Sequence, residues 1–200
     1  SLFGAPFSFA KLFCFVTHTH MKFFALIIFI FMTFLTNDLL AQTVYMSPTE
    51  ALKTIFHTSQ EIVTEKLQLN ESQKAALKKT LGYEIKKDNW TFYIAKTNNK
   101  ADGFALIDNE IGKTDPITFL TAIDLSGTVK SVEVLVYRET HGSEVHQKTF
   151  LKQYESKQLK DPIRVGQDIK NITGATLSSR AISTGVKRDL AIWNLFYGNK

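Results

Sequence analysis

The hydrophobic pattern of the chain begins with helical spacing. Ser47, Pro48 and Glu50 are typical of a helix start, because serine caps, proline suits the first turn and the glutamate completes a capping box. A second helix is predicted to follow Asn70 and to stop at Gly82. The apolar positions that define the two inner faces are Ala51, Leu52, Ile55 and Phe56, with Ile62 as a candidate continuation, and Leu69, Ala75, Ala76 and Leu81.

Beyond Gly82 the apolar period shortens to two, which predicts strands. The predicted strands are residues 83–85, 90–93, 104–107, 117–123 and 129–137, with turn residues at 88–89, 98–99 and 125–128. Helical spacing then returns in two segments. Residues 144–154 are predicted to turn Val145, Phe150, Leu151 and Tyr154 inward, and a final helix runs to about Tyr197, where Gly198 ends it.

Strands grouped in mid-chain, with helices before and after, predict an α+β fold rather than an alternating parallel sheet. No internal repeat, low-complexity stretch or proline-rich linker divides this part of the sequence. We therefore expect one domain, in which residues 42–103 supply the N-terminal helices and first strands and residues 104–198 form the core.

The first 41 residues have a different character. Residues 21–41 are typical of a secretory signal peptide, with Lys22 at a charged start, an apolar run and a cleavage site after Ala41. The run is shorter than the about twenty residues of a membrane-spanning helix, and an uncleaved anchor is the alternative. Residues 1–20 are interpreted as a non-native or wrongly joined extension. Export predicts a location in the periplasm or at the outer face of the cytoplasmic membrane.

Composition excludes several functions. Cys14, the only cysteine, lies in that extension, so the mature chain is predicted to have no disulfide, cysteine nucleophile or lipid anchor. His141 and His146 are five residues apart, which does not put them on one helical face for zinc, so no metal site is expected. The net charge of +5 is mild and the lysines are scattered, so we expect no nucleic-acid partner.

A candidate attachment site stands at residues 173–176, Thr-Gly-Ala-Thr, directly ahead of the final helix. Glycine and alanine are the smallest residues, so a phosphate and the backbone can approach closely there. A helix N-terminus offers unpaired N–H groups and a positive dipole end, which favour a phosphate. The basic residues near enough in sequence to pair with its charge are Arg164, Lys170 and Arg180. The alternative is that Thr173 or Thr176 simply caps the helix.

The stretch from Asp168 to Ser179 resembles the covalent flavin-attachment motif of the FMN-binding domain family. That family includes the flavin-carrying C subunit of the sodium-translocating NADH:quinone oxidoreductase and the G subunit of the Rnf complex. The resemblance extends over residues 104–186, through Asp115-Pro116-Ile117 and Tyr137-Arg138-Glu139. It implies a curved antiparallel sheet packed with helices, and FMN joined through its phosphate to Thr176.

The resemblance also implies a set of cofactor-binding residues around that threonine. They are Thr173, Gly174, Ala175, Leu177, Ser178 and Ser179, with Asp168 as the acidic residue that starts the motif. Serine is commoner in the family at Thr173, and many members have threonine at Ser178; both substitutions keep a hydroxyl.

A second candidate site is the polar stretch at residues 137–144, where strand alternation stops. An aromatic ring could stack on a flavin, and an arginine could contact phosphate or an anionic flavin. The alternative is an exposed loop that caps the following helix. The resemblance favours Tyr137, Arg138 and Gly142 as residues lining the flavin site.

The function implied by the resemblance is electron transfer outside the cytoplasmic membrane, with the chemistry supplied by covalent FMN. No paired acid and base points to an enzyme active site. The implied partners are a periplasmic flavin transferase that uses FAD and magnesium, and a membrane redox complex that donates or accepts electrons. Two alternatives stay open, which are a reductase of a small extracellular acceptor and a scaffold or binding protein that carries no flavin.

Overall fold

The computed structural model describes residues 42–198, so the predicted extension and signal peptide lie outside the described residues. Within this range none of the helices is long and apolar enough to cross a bilayer. The strands are β1 (Thr43–Val44), β2 (Glu61–Gln68), β3 (Asn89–Thr97), β4 (Lys100–Ile111), β5 (Pro116–Ile123) and β6 (Val129–Tyr137). The α-helices are α1 (Pro48–Ile55), α2 (Glu71–Leu81), α3 (Lys148–Leu151) and α4 (Thr176–Tyr197).

The strands form one antiparallel sheet in the order β1-β6-β5-β4-β3-β2. Strands β3 to β6 follow one another through short connections. Asn98 and Asn99 have φ of 51° and 62°, the left-handed conformation that the two-residue turn between β3 and β4 requires. The predicted α+β class, an antiparallel sheet packed with helices, is confirmed.

The sheet buries a different set of side chains on each face. Helix α4 covers one face, where Val186 and Leu190 are fully buried in the same cluster as Phe119 of β5. Helix α1 covers the other, with Leu52 in the same cluster as Leu120. Phe119 and Leu120 point into different cores because successive strand residues face opposite ways. The sheet therefore fixes helix α4 along its length, and with it the position of Thr176.

The predicted helix starts are confirmed. Ser47 accepts a hydrogen bond from the backbone N–H of Glu50 at 3.2 Å, but the Glu50 side chain does not bond back to the Ser47 N–H, so the predicted capping box is only half formed. Asn70 and Gln73 form a reciprocal capping box at the start of α2. Gly82 ends α2 in the left-handed conformation, with φ of 82°, as its position predicted.

Strand β2 was missed by the sequence prediction, and Ile62 belongs to it rather than to the first helix. This edge strand shows no clean alternation, because Ile62 and Val63 are both half-buried. The predicted strand at residues 83–85 is wrong, since the segment is irregular and Ile85 serves as a buried anchor in the core.

Two helix predictions need correction. Ala75 and Ala76, predicted to face inward, are exposed, and Leu77 is the buried residue of α2. The helix predicted over residues 144–154 is broken into two 3-10 segments on either side of α3, because Gln147 is extended, with ψ of 135°. The four side chains predicted to point inward, Val145, Phe150, Leu151 and Tyr154, are all buried as expected.

Candidate functional site

A tight turn delivers the chain to helix α4. The N–H of Ala175 donates to the carbonyl of Ile172 at 3.0 Å, and Gly174 has φ of +85° at the third position of the turn. A positive φ there is the signature of a type II turn, which glycine adopts without strain. A Cβ at Gly174 would have no atom within 4 Å, so the glycine serves the backbone conformation and not a close contact within the protein.

Helix α4 begins immediately after this turn without a side-chain cap. Its N-cap residue is Ala175, and no side-chain capping hydrogen bond is made. The alternative in which Thr173 or Thr176 caps the helix is therefore wrong. The N–H groups of the first helical turn have no intrahelical partner and carry the positive end of the helix dipole.

The hydroxyl of Thr176 stands at this helix start. Its side chain is half-buried, and Oγ1 accepts a hydrogen bond from Asn171 Nδ2 at 2.8 Å. A threonine hydroxyl has two acceptor lone pairs and one donor hydrogen, so it can bind a further partner. Asn171 fixes the direction of the hydroxyl without exhausting its bonding capacity.

The buried carboxylate of Glu139 organises the loop at residues 112–115. This loop lines a cleft together with the start of α4, and we call it the facing wall. Glu139 Oε1 accepts from the backbone N–H groups of Lys113, Thr114 and Asp115, and Oε2 accepts from Thr114 Oγ1 at 3.2 Å. Burial alone would raise the pKa of Glu139, but these donors outweigh it and hold the pKa below its ordinary value. A Cβ at Gly112 would lie 2.7 Å from Glu139 Oε1, so a larger residue there would displace the carboxylate or the loop that wraps it.

Between the two walls lies a cleft of about 330 Å³, which we call the attachment cleft. Its lining residues are Lys113, Thr114, Glu139, Thr140, His141, Gly174, Ala175, Thr176, Leu177 and Ser178. Leu177 is 48% exposed and gives the cleft an apolar surface beside the Thr176 hydroxyl. The cleft thus combines the Thr176 hydroxyl, the N–H groups of the helix start, the exposed Leu177 side chain and one lysine.

Tyr137 lies behind the cleft and joins its two sides. The ring is 1% exposed, and its hydroxyl donates to the carbonyl of His141 at 2.5 Å and shares a 2.8 Å hydrogen bond with Ser178 Oγ. Burial raises the pKa of Tyr137. Gly142 has φ of +87°, and a Cβ there would lie 2.9 Å from that hydroxyl and 3.3 Å from Ala175 Cα. Tyr137 and Gly142, predicted to line the flavin site, lie behind the attachment cleft in this structure, and no face of the buried tyrosine ring is free to stack.

Arg138 and Asp168 do not line the attachment cleft. Arg138 donates to the Pro116 carbonyl and to Thr118 Oγ1, both at 2.9 Å, so its contact with a flavin stays a prediction. Asp168 accepts from the N–H groups of Ile163 and Arg164 and from Lys157 Nζ. Burial would raise the pKa of Asp168, but these donors lower it; the carboxylate therefore holds the loop ahead of the motif.

The other predicted residues divide between the cleft and its surroundings. Ser179 is fully buried under the helix start, and Thr173 is exposed in the turn without lining the cleft. Arg164 and Arg180, considered as phosphate partners, line a different cleft. Of the eleven residues predicted from the sequence, five line the attachment cleft: Gly174, Ala175, Thr176, Leu177 and Ser178.

Sequence reasoning missed the facing wall. Gly112-Lys113-Thr114 resembles the end of a phosphate-binding loop only superficially, and the anion that its backbone wraps is the protein's own Glu139. Lys113 and Glu139 are 26 residues apart, and only the pairing of β4, β5 and β6 brings them together. Apart from its nearness to the motif, nothing in the sequence indicated that Asn171 would bond to the Thr176 hydroxyl.

Known proteins resemble this chain both in sequence and in fold. Residues 112–191 match the family model described as the FMN-binding domain, a range that begins at the Glu139-binding loop and includes the attachment motif. The crystal structure of NqrC from Shewanella oneidensis has the same fold, with a TM-score of 0.52 and 13% sequence identity over 76% of this chain and 88% of that chain. A comparison with curated proteins gives no match. The chain therefore carries an FMN-binding domain, as the resemblance predicted.

Proposed function

We propose that this protein is an exported electron carrier that holds FMN covalently, through a phosphoester to the hydroxyl of Thr176. The observation that carries the proposal is the position of that hydroxyl, at an uncapped helix start on a cleft within the matched FMN-binding domain. The similarity to NqrC supports a role in electron transfer through the shared fold.

The residues of the attachment cleft fit the parts of FMN. Open N–H groups at the start of α4 suit a phosphate diester, which keeps one negative charge. Lys113 can add a positive charge, and the exposed side chain of Leu177 offers an apolar contact for a flat ring. A volume of about 330 Å³ lies at the lower end of the range for small-molecule sites, so part of the cofactor would stay exposed.

In the proposed attachment step, the hydroxyl of Thr176 is the nucleophile. The Thr176 oxygen attacks the flavin-side phosphorus of FAD; the new O–P bond replaces the bond within the pyrophosphate, and AMP leaves. The hydroxyl proton passes to a base of the transferase. Asn171 holds the threonine oxygen in one direction while leaving a lone pair for the attack. A Cβ at Gly174 would meet no atom within 4 Å, so the turn just ahead of Thr176 is open to the approach of the enzyme.

Once attached, FMN supplies the redox chemistry, since it can accept one or two electrons. The protein contributes the tether, the orientation and the local charge. Glu139 stays ionised, but its two oxygens accept hydrogen bonds from the loop at residues 113–115 and are not left without donors beside the bound phosphate. A tethered cofactor also cannot be lost by dilution outside the membrane.

The location and partners belong to the same proposal. The signal-like pattern of residues 21–41 supports export, and attachment by a periplasmic FAD-dependent flavin transferase fits an exported acceptor threonine. A membrane redox complex would exchange electrons with the bound flavin.

The proposal is tested by intact mass and visible absorbance of the chain co-expressed with an active flavin transferase. Wild-type protein should gain the mass of one FMN and a yellow colour that persists after denaturation, and Thr176→Ala should lose both. Thr173→Ala is the matched control, because it removes a hydroxyl from the same turn and should still be modified. Colourless, unmodified wild-type protein in the presence of an active transferase would contradict the proposal.

A second measurement separates a carrier from a reductase. The flavin-loaded protein should be reduced and reoxidised once per flavin by artificial donors and acceptors in stopped-flow absorbance. Steady turnover that saturates with one small extracellular acceptor would instead favour a reductase.

A further inference from the structure

We propose that a second cleft, formed by helix α2, the loop at residues 162–167 and helix α4, is a binding site for a small organic oxyanion. The cleft has a volume of about 720 Å³, which lies within the range for cofactor-sized ligands. Its lining residues are Thr80, Leu81, Tyr83, Pro162, Ile163, Arg164, Val165, Gln167, Arg180, Ser183, Thr184 and Lys187. This inference goes beyond the proposed function, and it does not depend on flavin attachment.

The arginines of the chain differ in whether the protein supplies an acceptor for them. There are four in the sequence, and two of them are bound by protein acceptors: Arg188 by Asp108 and Glu110, and Arg138 by Pro116 and Thr118.

The other two arginines, Arg164 and Arg180, both line this one cleft. Neither guanidinium makes an ion pair or hydrogen bond with any residue between 42 and 198. A guanidinium presents five donors in a planar fork that matches a carboxylate or phosphate, and here two arginines without an acceptor in the described part of the chain line one cleft.

Lys187 adds a third positive charge to the same cleft. Its ammonium donates to the carbonyls of Leu159 and Asp161, which hold it in place. Burial lowers the pKa of Lys187, the carboxylates of Asp161 and Asp168 oppose this, and the positive charge of Arg164 lowers it further. Arg164 and Lys187 are therefore close enough to repel each other, and a bound anion would relieve that repulsion.

The loop that carries Arg164 is held in a strained conformation. Ile163 has φ of +46°, which is unfavourable for a β-branched residue. The Asp168 carboxylate stabilises it by accepting the N–H groups of Ile163 and Arg164. Strain of this kind persists where surrounding contacts enforce it and is frequent at ligand sites. Here the strained residue, Ile163, directly precedes Arg164, whose guanidinium has no acceptor among the described residues.

The shape and lining of the cleft favour a small molecule over a protein segment. Leu81, Pro162 and Val165 give it apolar walls, and Thr80 and Thr184 add hydroxyl groups. Such a mixture suits an anion carried on an organic body. Thr176, Arg180, Thr184 and Lys187 are spaced by four, four and three residues, so the cleft lies on the same face of α4 as the attachment threonine.

The test is titration of the full chain, labelled with ¹⁵N, with inorganic phosphate and separately with succinate at constant ionic strength. We expect saturable shifts of the Arg164 and Arg180 Nε–H signals with at least one of the two, and the stronger binder identifies the class of oxyanion. Arg164→Gln and Arg180→Gln should each weaken binding by about tenfold or more, since each removes charge-assisted hydrogen bonds. Lys100→Gln, at the exposed β3–β4 turn, is the matched control and should leave the affinity unchanged.

Thr176→Ala should also leave this binding unchanged, which separates the inference from the proposed attachment. The inference is overturned if neither anion gives a saturable shift. It is also overturned if the variant that combines Arg164→Gln and Arg180→Gln binds as tightly as wild type. Binding of hexaglutamate without binding of either small anion would also overturn it, and would assign the cleft to an acidic protein segment.

Discussion

Replacing Glu139 by glutamine tests how the attachment cleft is built. The carboxylate is 8% exposed and accepts three backbone N–H groups at Oε1. Hydrogen bonds to a charged acceptor are stronger than neutral ones by about 1 kcal/mol each, so loss of the charge weakens the three by about 3 kcal/mol in total. Relief of the cost of burying a charge offsets part of this. We expect Glu139→Gln to lower the free energy of unfolding by about 1–2 kcal/mol at pH 7.

The pH dependence gives the sharper signature. The folded-state pKa of Glu139 lies below its ordinary value of 4.5, so the carboxylate stabilises the fold fully above about pH 4.5. That stabilisation is lost as the pH falls through the lower folded-state pKa. The difference in unfolding free energy between wild type and Glu139→Gln should therefore be largest near neutral pH and shrink in acid.

The assay is urea unfolding at several pH values, followed by the fluorescence of the two buried tryptophans, Trp90 and Trp193. Glu155→Gln is the matched control, because Glu155 is exposed and should change stability little at any pH. A Glu139→Gln variant as stable as wild type at pH 7, or a difference that stays constant down to pH 3, would refute the reasoning.

Three further predictions concern the supports of helix α4. Tyr137→Phe and Ser178→Ala should each lower the free energy of unfolding by about 1 kcal/mol. A double-mutant cycle measured by chemical unfolding should give a coupling energy of at least about 0.5 kcal/mol, and additive effects would contradict the hydrogen bond between the two residues. Gly185→Ala should lower stability by about 1–3 kcal/mol in thermal unfolding, because the new methyl would meet the Phe119 ring at 2.2 Å; an unchanged melting temperature would be inconsistent with that packing. Arg188→Met should lower the free energy of unfolding by about 3–5 kcal/mol in urea, since Glu110 would lose its partner and the buried Asp108 would keep only Lys87; a neutral effect would argue against this ion-pair cluster.

Local signals explain what the sequence predicted well. The capped starts at Ser47 and Asn70 and the long helix after Thr176 depend on neighbouring residues, so their patterns are visible along the chain. The attachment motif is local in the same sense. Strand β2 was missed because an edge strand with one half-covered face has no clear period.

The orientation of Tyr137 and Arg138 could not be predicted from the sequence for a different reason. Strand β6 carries a register shift near Leu135, so that Val134 and Tyr137, three residues apart, pack in the same core. Strict alternation would have placed Tyr137 with Leu135 on the face that helix α1 covers. One extra residue in the strand thus decides which side chain supports the cleft. No feature of the sequence reports it.

The same limit applies to the wall formed by Glu139. A glutamate in a polar stretch is typical of the surface, and its burial depends on a loop that arrives from the far end of β4. Such contacts depend on which strands pair across long separations in sequence, so they can be identified only once the fold is known.

The measurement that tests the central claim most directly is fragmentation mass spectrometry of the tryptic peptide at residues 171–180, from protein co-expressed with an active flavin transferase. This peptide follows Lys170, ends at Arg180 and contains four hydroxyl groups, at Thr173, Thr176, Ser178 and Ser179. We predict one FMN on the peptide, located on Thr176 alone, because its hydroxyl lies on the cleft at the start of α4. An unmodified peptide, or FMN located on any of the other three hydroxyls, would contradict the account.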